Sequence, residues 1–223
     1  MKKQTIHIVG GGLVGPLAAI FLAKRGYNVE LYERRGDMRK EKVEAGRSIN
    51  LVVTPRGLNA LDRVGLKKKA LELAIPLEGR MLHDVKGDLT YVPYGHKPGE
   101  VINAVSRGLL NMLLLEEADK CENVNIHFYR KCTGYDIKSK IIAFLNEESG
   151  ATETVKADIT IGTDGAFSAI RRAMFENVQN FNYAQDFLEH GYKELVIPPN
   201  SDGHHRIKNG VFHIWPRGDF MLI

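Results

Sequence analysis

The chain has 223 residues, 43% hydrophobic and 26% charged, with a net charge of +4. That length allows one large domain or two small ones. The composition is that of an ordinary globular protein, and the mild charge gives no call for nucleic acid or membrane as a partner. No stretch approaches the roughly eighteen apolar residues of a membrane span, and no apolar leader precedes the first strand, so a cytoplasmic protein is expected. Cys121 and Cys132 form no metal-ligand pattern and are compatible with a reducing compartment.

The first element is Thr5-Ile6-His7-Ile8-Val9, rich in β-branched residues. Gly10, Gly12 and Gly15 follow in GxGxxG spacing, then the apolar helical run 17–23, then a strand over 28–32 that ends at Glu33. Each position has a physical reason. Gly10 permits a tight turn, Gly12 lets bare backbone approach a pyrophosphate, and Gly15 lets helix and strand pack closely. The helix N-terminus offers free N–H groups to phosphate. Glu33, eighteen residues after Gly15, is placed to accept hydrogen bonds from an adenosine ribose.

A polar loop is expected over 34–42, then a strand over 47–53. Thr54 and Pro55 are an N-cap and a first-turn proline, and Gly65 ends that helix. A second helix is expected over 66–73, with Lys67, Lys68 and Lys69 on a solvated face. Residues 80–85 and 89–93 read as a β-hairpin around a glycine-containing turn. A strongly amphipathic helix over 106–120 has Ser106 as its candidate cap, and a strand over 124–128 follows it. Three strands are expected over 135–145, 152–155 and 158–162, and further strands over 192–197, 210–215 and 220–223. The last of these has no closing turn, which suggests the front part of a longer protein.

A second motif follows the strand over 158–162. Asp164-Gly165 can bring a carboxylate and bare backbone to a ribose–pyrophosphate, with Ser168 capping the helix that carries Arg171. An ordinary Asp-Gly turn is the alternative. His204-His205 sits in a polar stretch and reads as solvated, and His83 as a packing or hydrogen-bonding hairpin residue.

The pair of motifs resembles the class A flavoprotein aromatic hydroxylases. The blocks Gly46-Arg47-Ser48-Ile49-Asn50-Leu51, Arg80-Met81-Leu82-His83, Val92-Pro93-Tyr94-Gly95, Val105-Ser106-Arg107, His190-Gly191-Tyr192-Lys193-Glu194-Leu195 and His213-Ile214-Trp215-Pro216-Arg217 are similar to the kynurenine 3-monooxygenase branch of that family. The resemblance implies an α/β fold: a Rossmann-like FAD-binding domain (1–73 and 102–176) interleaved with a mostly antiparallel β-sheet substrate domain (74–101 and 177–223) that is C-terminally incomplete. It implies FAD and NADPH as cofactors, and L-kynurenine and O2 as substrates. Reduced flavin would activate O2, and one oxygen atom would pass to the ring carbon beside the aniline nitrogen, without a catalytic acid or base from the protein. Gly10, Gly12, Leu13, Val14, Gly15, Glu33, Arg35, Arg47, Val53, Arg107, Asp164 and Gly165 would bind cofactor, and Arg80 with Tyr94 would clamp the kynurenine carboxylate. The family's later Gly-Asp segment, glycine-rich stretch and substrate asparagine have no counterpart here. Two other readings stay open: a class A hydroxylase or reductase with a different substrate, and a non-catalytic fragment.

Overall fold

Alternation and glycine placement organise the chain from its first strand onward. The computed structural model describes residues 4–41, 51–97 and 99–223. In chain order it forms β1 (Thr5–Val9), α1 (Val14–Ala23), β2 (Asn28–Tyr32), β3 (Leu51–Val53), α2 (Pro55–Arg63), α3 (Lys67–Glu72), β4 (Ala74–Leu77), β5 (Gly79–His83), β6 (Leu89–Pro93) and β7 (Ile102–Val105). Then come α4 (Arg107–Asp119), β8 (Val124–His127), β9 (Arg130–Asp136), β10 (Ile141–Asn146), β11 (Thr152–Lys156), β12 (Thr160–Gly162), α5 (Ala169–Asn177), β13 (Phe212–Arg217) and β14 (Phe220–Leu222). The fold is α/β, with parallel and antiparallel sheets.

Two compact units divide the chain: Met1–Gly46 with Gly108–Gly191, and Arg47–Arg107 with Tyr192–Ile223. In the first unit a parallel sheet runs in the order β12-β1-β2-β8. Strand β1 is buried over Ile6–Val9, as expected of a parallel strand covered on both faces. An antiparallel sheet, β11-β10-β9, packs on it. Its Ile142 and Phe144 join Val9, Tyr32, Ala157 and Ile170 in one core, where Phe144 stacks on Tyr32 at 4.4 Å between ring centroids. Burial pushes the Tyr32 phenol up to about 12, so that ring stays neutral in the core.

The second unit holds the sheets β3-β7-β4 and β14-β13-β5-β6. Helix α2 starts as the sequence predicts: Pro55 stands in its first turn and the Thr54 hydroxyl accepts from Gly57 N–H at 3.4 Å. The hairpin β5–β6 also forms, with Arg80 opposite Val92 and His83 opposite Leu89.

Two expectations differ from what forms. The single strand over 135–145 is a hairpin of β9 and β10, because the Asp136 carboxylate accepts from Lys138 N–H (2.9 Å) and Ser139 N–H (3.2 Å) and turns the chain. The strand over 192–197 does not form; residues 178–211 hold neither helix nor strand. A strand exists only where its backbone groups pair. The places beside β5 and β13 are filled by β6, β13 and β14, and the run 192–197 pairs with no neighbour. Residues 51–73 and 102–107 lie in the second unit, where β7 pairs with β3 on one side and β4 on the other.

Candidate functional site

The glycine turn joins β1 to α1. Gly10 has φ +110°, and its N–H donates to Tyr32 O at 2.8 Å, so the turn is tied to the end of β2. A Cβ on Gly10 would lie 2.4 Å from Thr163 O, and one on Gly15 would lie 2.0 Å from Gly10 O. Those two glycines are required by the protein's own packing. Gly12 is different: a Cβ there would meet nothing within 4 Å. Helix α1 then starts at Leu13 with no side-chain cap, and Val14 in its first turn is 65% exposed. Uncapped first-turn N–H groups beside bare backbone fit an anionic group such as a pyrophosphate.

Glu33 follows β2 and is 5% exposed. Its Oε2 accepts from Gly11 N–H at 2.8 Å, and its Oε1 from Arg35 N–H (3.0 Å) and Arg35 Nε–H (2.8 Å). A carboxylate offers about four acceptor sites, so these three donors leave one, on Oε2. Glu33 therefore fixes the glycine turn and Arg35 while keeping room for one further hydroxyl donor.

The second motif is brought to the first by a residue the sequence reading passed over. Thr163 N–H donates to Val9 O at 2.7 Å, and its hydroxyl reaches Val9 O (3.0 Å) and Gly10 O (2.8 Å). A β-branched residue at the end of a strand looks like one more strand position, so only its place directly before Asp-Gly signals the role. The Asp164 carboxylate accepts from Ser168 Oγ–H (2.5 Å), Ala169 N–H (2.8 Å) and Ile170 N–H (3.4 Å). Ser168 Oγ in turn accepts from Arg171 N–H at 2.9 Å, as the cap expectation requires. Asp164 thus holds the start of α5. Gly165, at φ +83°, leaves bare backbone beside it. Cys132 lies near this carboxylate; burial, and secondarily Asp164, push its thiol up to about 11.

The remaining predicted residues belong to the second unit. Arg80 on β5 and Tyr94 just after β6 are brought together, with the guanidinium 5.3 Å from the Tyr94 ring centroid. Tyr94 N–H donates to Glu78 O at 3.0 Å, which extends the hairpin pairing to that residue. Burial raises the Tyr94 phenol above its ordinary value and Arg80 opposes the shift, so the hydroxyl stays a neutral donor. Gly79 beside them admits no side chain, since a Cβ would lie 2.6 Å from Val92 O. Val53 is buried on β3, and Arg107 opens α4 with its side chain exposed. Arg47 lies outside the described residues. His83 hydrogen-bonds within the sheet, to His213 at 2.8 Å, in keeping with its predicted role.

Comparison with known proteins adds three findings. A family model described as FAD binding domain matches residues 3–197. The chain is 46% identical over 222 residues to kynurenine 3-monooxygenase of Myxococcus xanthus (strain DK1622), covering 100% of this chain and 48% of that protein. It is 41% identical over 218 residues to kynurenine 3-monooxygenase of Anopheles gambiae, covering 98% and 45%. The chain therefore spans about half the length of the curated relatives it matches. Among solved structures, p-nitrophenol 4-monooxygenase PnpA from Pseudomonas putida DLL-E4 aligns with a TM-score of 0.64 at 22% identity, over 77% of this chain and 44% of that one. The flavin-dependent monooxygenase PieE, solved with FAD and substrate, aligns with a TM-score of 0.66 at 20% identity, over 78% and 32%. At those identities the structural likeness speaks to fold alone.

Proposed function

Because the chain belongs to the FAD binding domain family, we propose that it forms part of an FAD-dependent monooxygenase that hydroxylates L-kynurenine to 3-hydroxykynurenine, using NADPH and O2. The observation that carries this reading is the joining of the two motifs in one unit: Thr163 bonded to Gly10, with open space over Gly12 and an uncapped α1 beside it. The likeness to kynurenine 3-monooxygenases supports the choice of substrate.

In this reading the unit Met1–Gly46 with Gly108–Gly191 holds the FAD, and the other unit contributes to the kynurenine site. Backbone N–H groups from Gly12 to Gly15 receive the pyrophosphate. The open acceptor on Glu33 takes a ribose hydroxyl, and Arg35, held by Glu33, lies toward the adenine. Asp164 acts by capping α5 and presenting the Gly165 backbone. Arg47, Val53 and Arg107 are kept as candidate cofactor residues on the resemblance alone. Arg80 pairs with the kynurenine carboxylate and the neutral Tyr94 hydroxyl adds one donor. FAD, when bound, supplies the redox chemistry. The protein's own work is to bind, orient and exclude water, and no side chain of this chain is assigned as acid or base. Both cysteines are free. Among the described residues no helix is long and apolar enough to cross a membrane. Our reading puts the protein in the cytoplasm.

The test is direct. The purified protein should show flavin absorbance, oxidise NADPH faster when L-kynurenine is added, and yield 3-hydroxykynurenine by mass spectrometry. Flavin binding with turnover of a different aromatic compound, and none of kynurenine, would reject the substrate. Absence of flavin binding would reject the whole reading.

A further inference from the structure

Where the chain turns from β8 into β9, one bulky residue holds a backbone conformation that its side chain disfavours. Tyr129 has φ +58°. That left-handed region suits glycine, and asparagine to a lesser degree; a tyrosine stays there only where its surroundings enforce it. The backbone bonds at this corner run to the segment after β2. Glu33 N–H donates to His127 O at 2.8 Å, Arg130 N–H to Glu33 O at 2.8 Å, and Tyr129 N–H to Arg35 O at 3.1 Å. On the other side Tyr129 O accepts from Glu147 N–H at 3.0 Å. A glycine at position 129 could make the same backbone bonds without strain. What it would lack is the phenol.

That phenol donates to Glu41 Oε1 at 2.5 Å. Its ring passes over Gly36 on the way. A Cβ on Gly36 would lie 2.5 Å from Tyr129 Oη, 2.8 Å from Tyr129 Cζ and 2.4 Å from Glu41 Oε2. Gly36 is not among the glycines with positive φ, so its missing side chain serves this crossing and not its own backbone. A turn brings Glu41 back over Gly36: Lys40 N–H (2.9 Å) and Glu41 N–H (3.0 Å) both donate to Asp37 O. Beneath it the buried Asp37 carboxylate holds Arg39 by two prongs, from Nε–H at 2.8 Å and Nη2–H at 2.7 Å. Arg39 Nη1–H reaches Asp119, at the end of α4, at 2.9 Å. The loop 36–41 is thus anchored to α4 through Arg39 and closed against the β8–β9 corner through Tyr129.

Arg35 stands at the foot of that loop. Its N–H and Nε–H are spent on Glu33, and its carbonyl accepts from Tyr129. Its two Nη groups bond no side chain or backbone among the described residues, so the planar end of the guanidinium is open. We propose that Tyr129 and Glu41 are positioning residues for Arg35: their bond clasps the loop 36–41 across Gly36 and fixes where that open guanidinium faces a ligand. The identity of the ligand, the adenosine part of FAD, rests on the functional reading above. A loop ordered before the ligand arrives spares binding the entropy of ordering it, so the clasp shows as affinity.

The test is a double-mutant cycle read by flavin fluorescence titration of the purified protein, with Tyr129→Phe, Arg35→Ala and the two combined. Tyr129→Phe keeps the ring and loses one hydrogen bond, so FAD affinity should fall about two- to tenfold. In the Arg35→Ala background the same change should have no further effect, because nothing is left to position. A purely structural role would give the same loss in both backgrounds. Amide hydrogen exchange of the apoprotein needs no FAD. It should find residues 36–41 exchanging faster in Tyr129→Phe, and also in Gly36→Ala, whose added methyl pushes the phenol off Glu41. Strands β1 and β2 should stay as protected as in the wild type. Wild-type FAD affinity in Tyr129→Phe, equal losses in both backgrounds, or unchanged exchange over 36–41 would each overturn the clasp. If the wild type binds no FAD, the functional reading falls, while the exchange result still decides whether the clasp orders the loop.

Discussion

Gly12→Ala separates a glycine kept for the fold from one kept for a ligand. A Cβ at Gly12 would meet no protein atom within 4 Å, and the residue is not among those with positive φ. The substitution should therefore not harm the apoprotein. It removes backbone freedom from the unfolded chain, a gain of about 0.4–1 kcal/mol, or roughly 1–4 °C in Tm for a chain of this size. Gly15→Ala is the control. Its Cβ would sit 2.0 Å from Gly10 O and 3.0 Å from Thr163 Oγ1, both in the rigid joint between the motifs. Overpacking of this kind costs about 1–3 kcal/mol, so Tm should fall by roughly 2–12 °C. With FAD the order changes. If pyrophosphate lies against Gly12, the added methyl displaces at least one N–H to phosphate bond, about 1.5–3 kcal/mol, and FAD affinity falls roughly tenfold or more. The assay is flavin fluorescence titration of each apoprotein alongside its thermal melt. A Gly12→Ala protein that binds FAD as the wild type does would refute the phosphate cradle. One that melts like Gly15→Ala would refute the claim that space over Gly12 is open.

Glu33→Ala removes the acceptor of Gly11 N–H and both Arg35 donors; FAD affinity should drop tenfold or more at about 1.5–3 kcal/mol per lost charge-assisted bond, with the apoprotein also less stable. An unchanged FAD dissociation constant would take Glu33 out of the site. Arg80→Lys keeps the charge but loses the planar fork, so the kynurenine KM should rise roughly tenfold with FAD content intact. Tyr94→Phe, which loses one neutral donor, should raise KM less, by about two- to tenfold. Steady-state kinetics equal to wild type for both variants would move the carboxylate clamp elsewhere.

What the sequence made legible was local. The turn after β1, the cap at Thr54, the cap at Ser168 and the β5–β6 hairpin each depend on residues within a few positions, and all formed as read. The failures share a different cause. Strand β7 is only four residues long, and its partners β3 and β4 lie elsewhere in the chain. Strand β5 is completed by β13, which lies 130 residues further on. Residues 192–197 have strand-like composition but pair with no strand of the structure. β-propensity describes a residue's fit to a pleated surface and does not supply the surface. The site shows the same split. Glu33 was read from spacing, whereas Thr163 became visible only once β12 lay beside β1.

That adjacency explains why two short motifs, each common alone, lie together at one edge of the sheet. In the order β12-β1-β2-β8 the chain leaves β1 through α1 to reach β2 on one side, and returns much later as β12 on the other. The connections diverge at β1, and in parallel sheets a crevice opens there beyond the carboxyl ends of the strands. The Gly10 turn follows β1 and the Asp164-Gly165 turn follows β12, so both lie at that edge. Thr163 ties them with one hydroxyl, and the lack of side chains at Gly10 and Gly15 lets them touch. Each turn also starts a helix. Asp164 and Ser168 satisfy the first turn of α5, so its dipole is already answered by a carboxylate. No side chain answers α1. Of the two helix starts in the crevice, the one left open is beside the glycine whose missing side chain the protein's own packing does not require. An anion that approaches there meets a helix start with no side-chain cap and no steric barrier at Gly12, and the Glu33 carboxylate nearby is engaged by Gly11 and Arg35, whereas Asp164 sits on the start of α5 itself, which is why the pyrophosphate is assigned to α1 and not to α5.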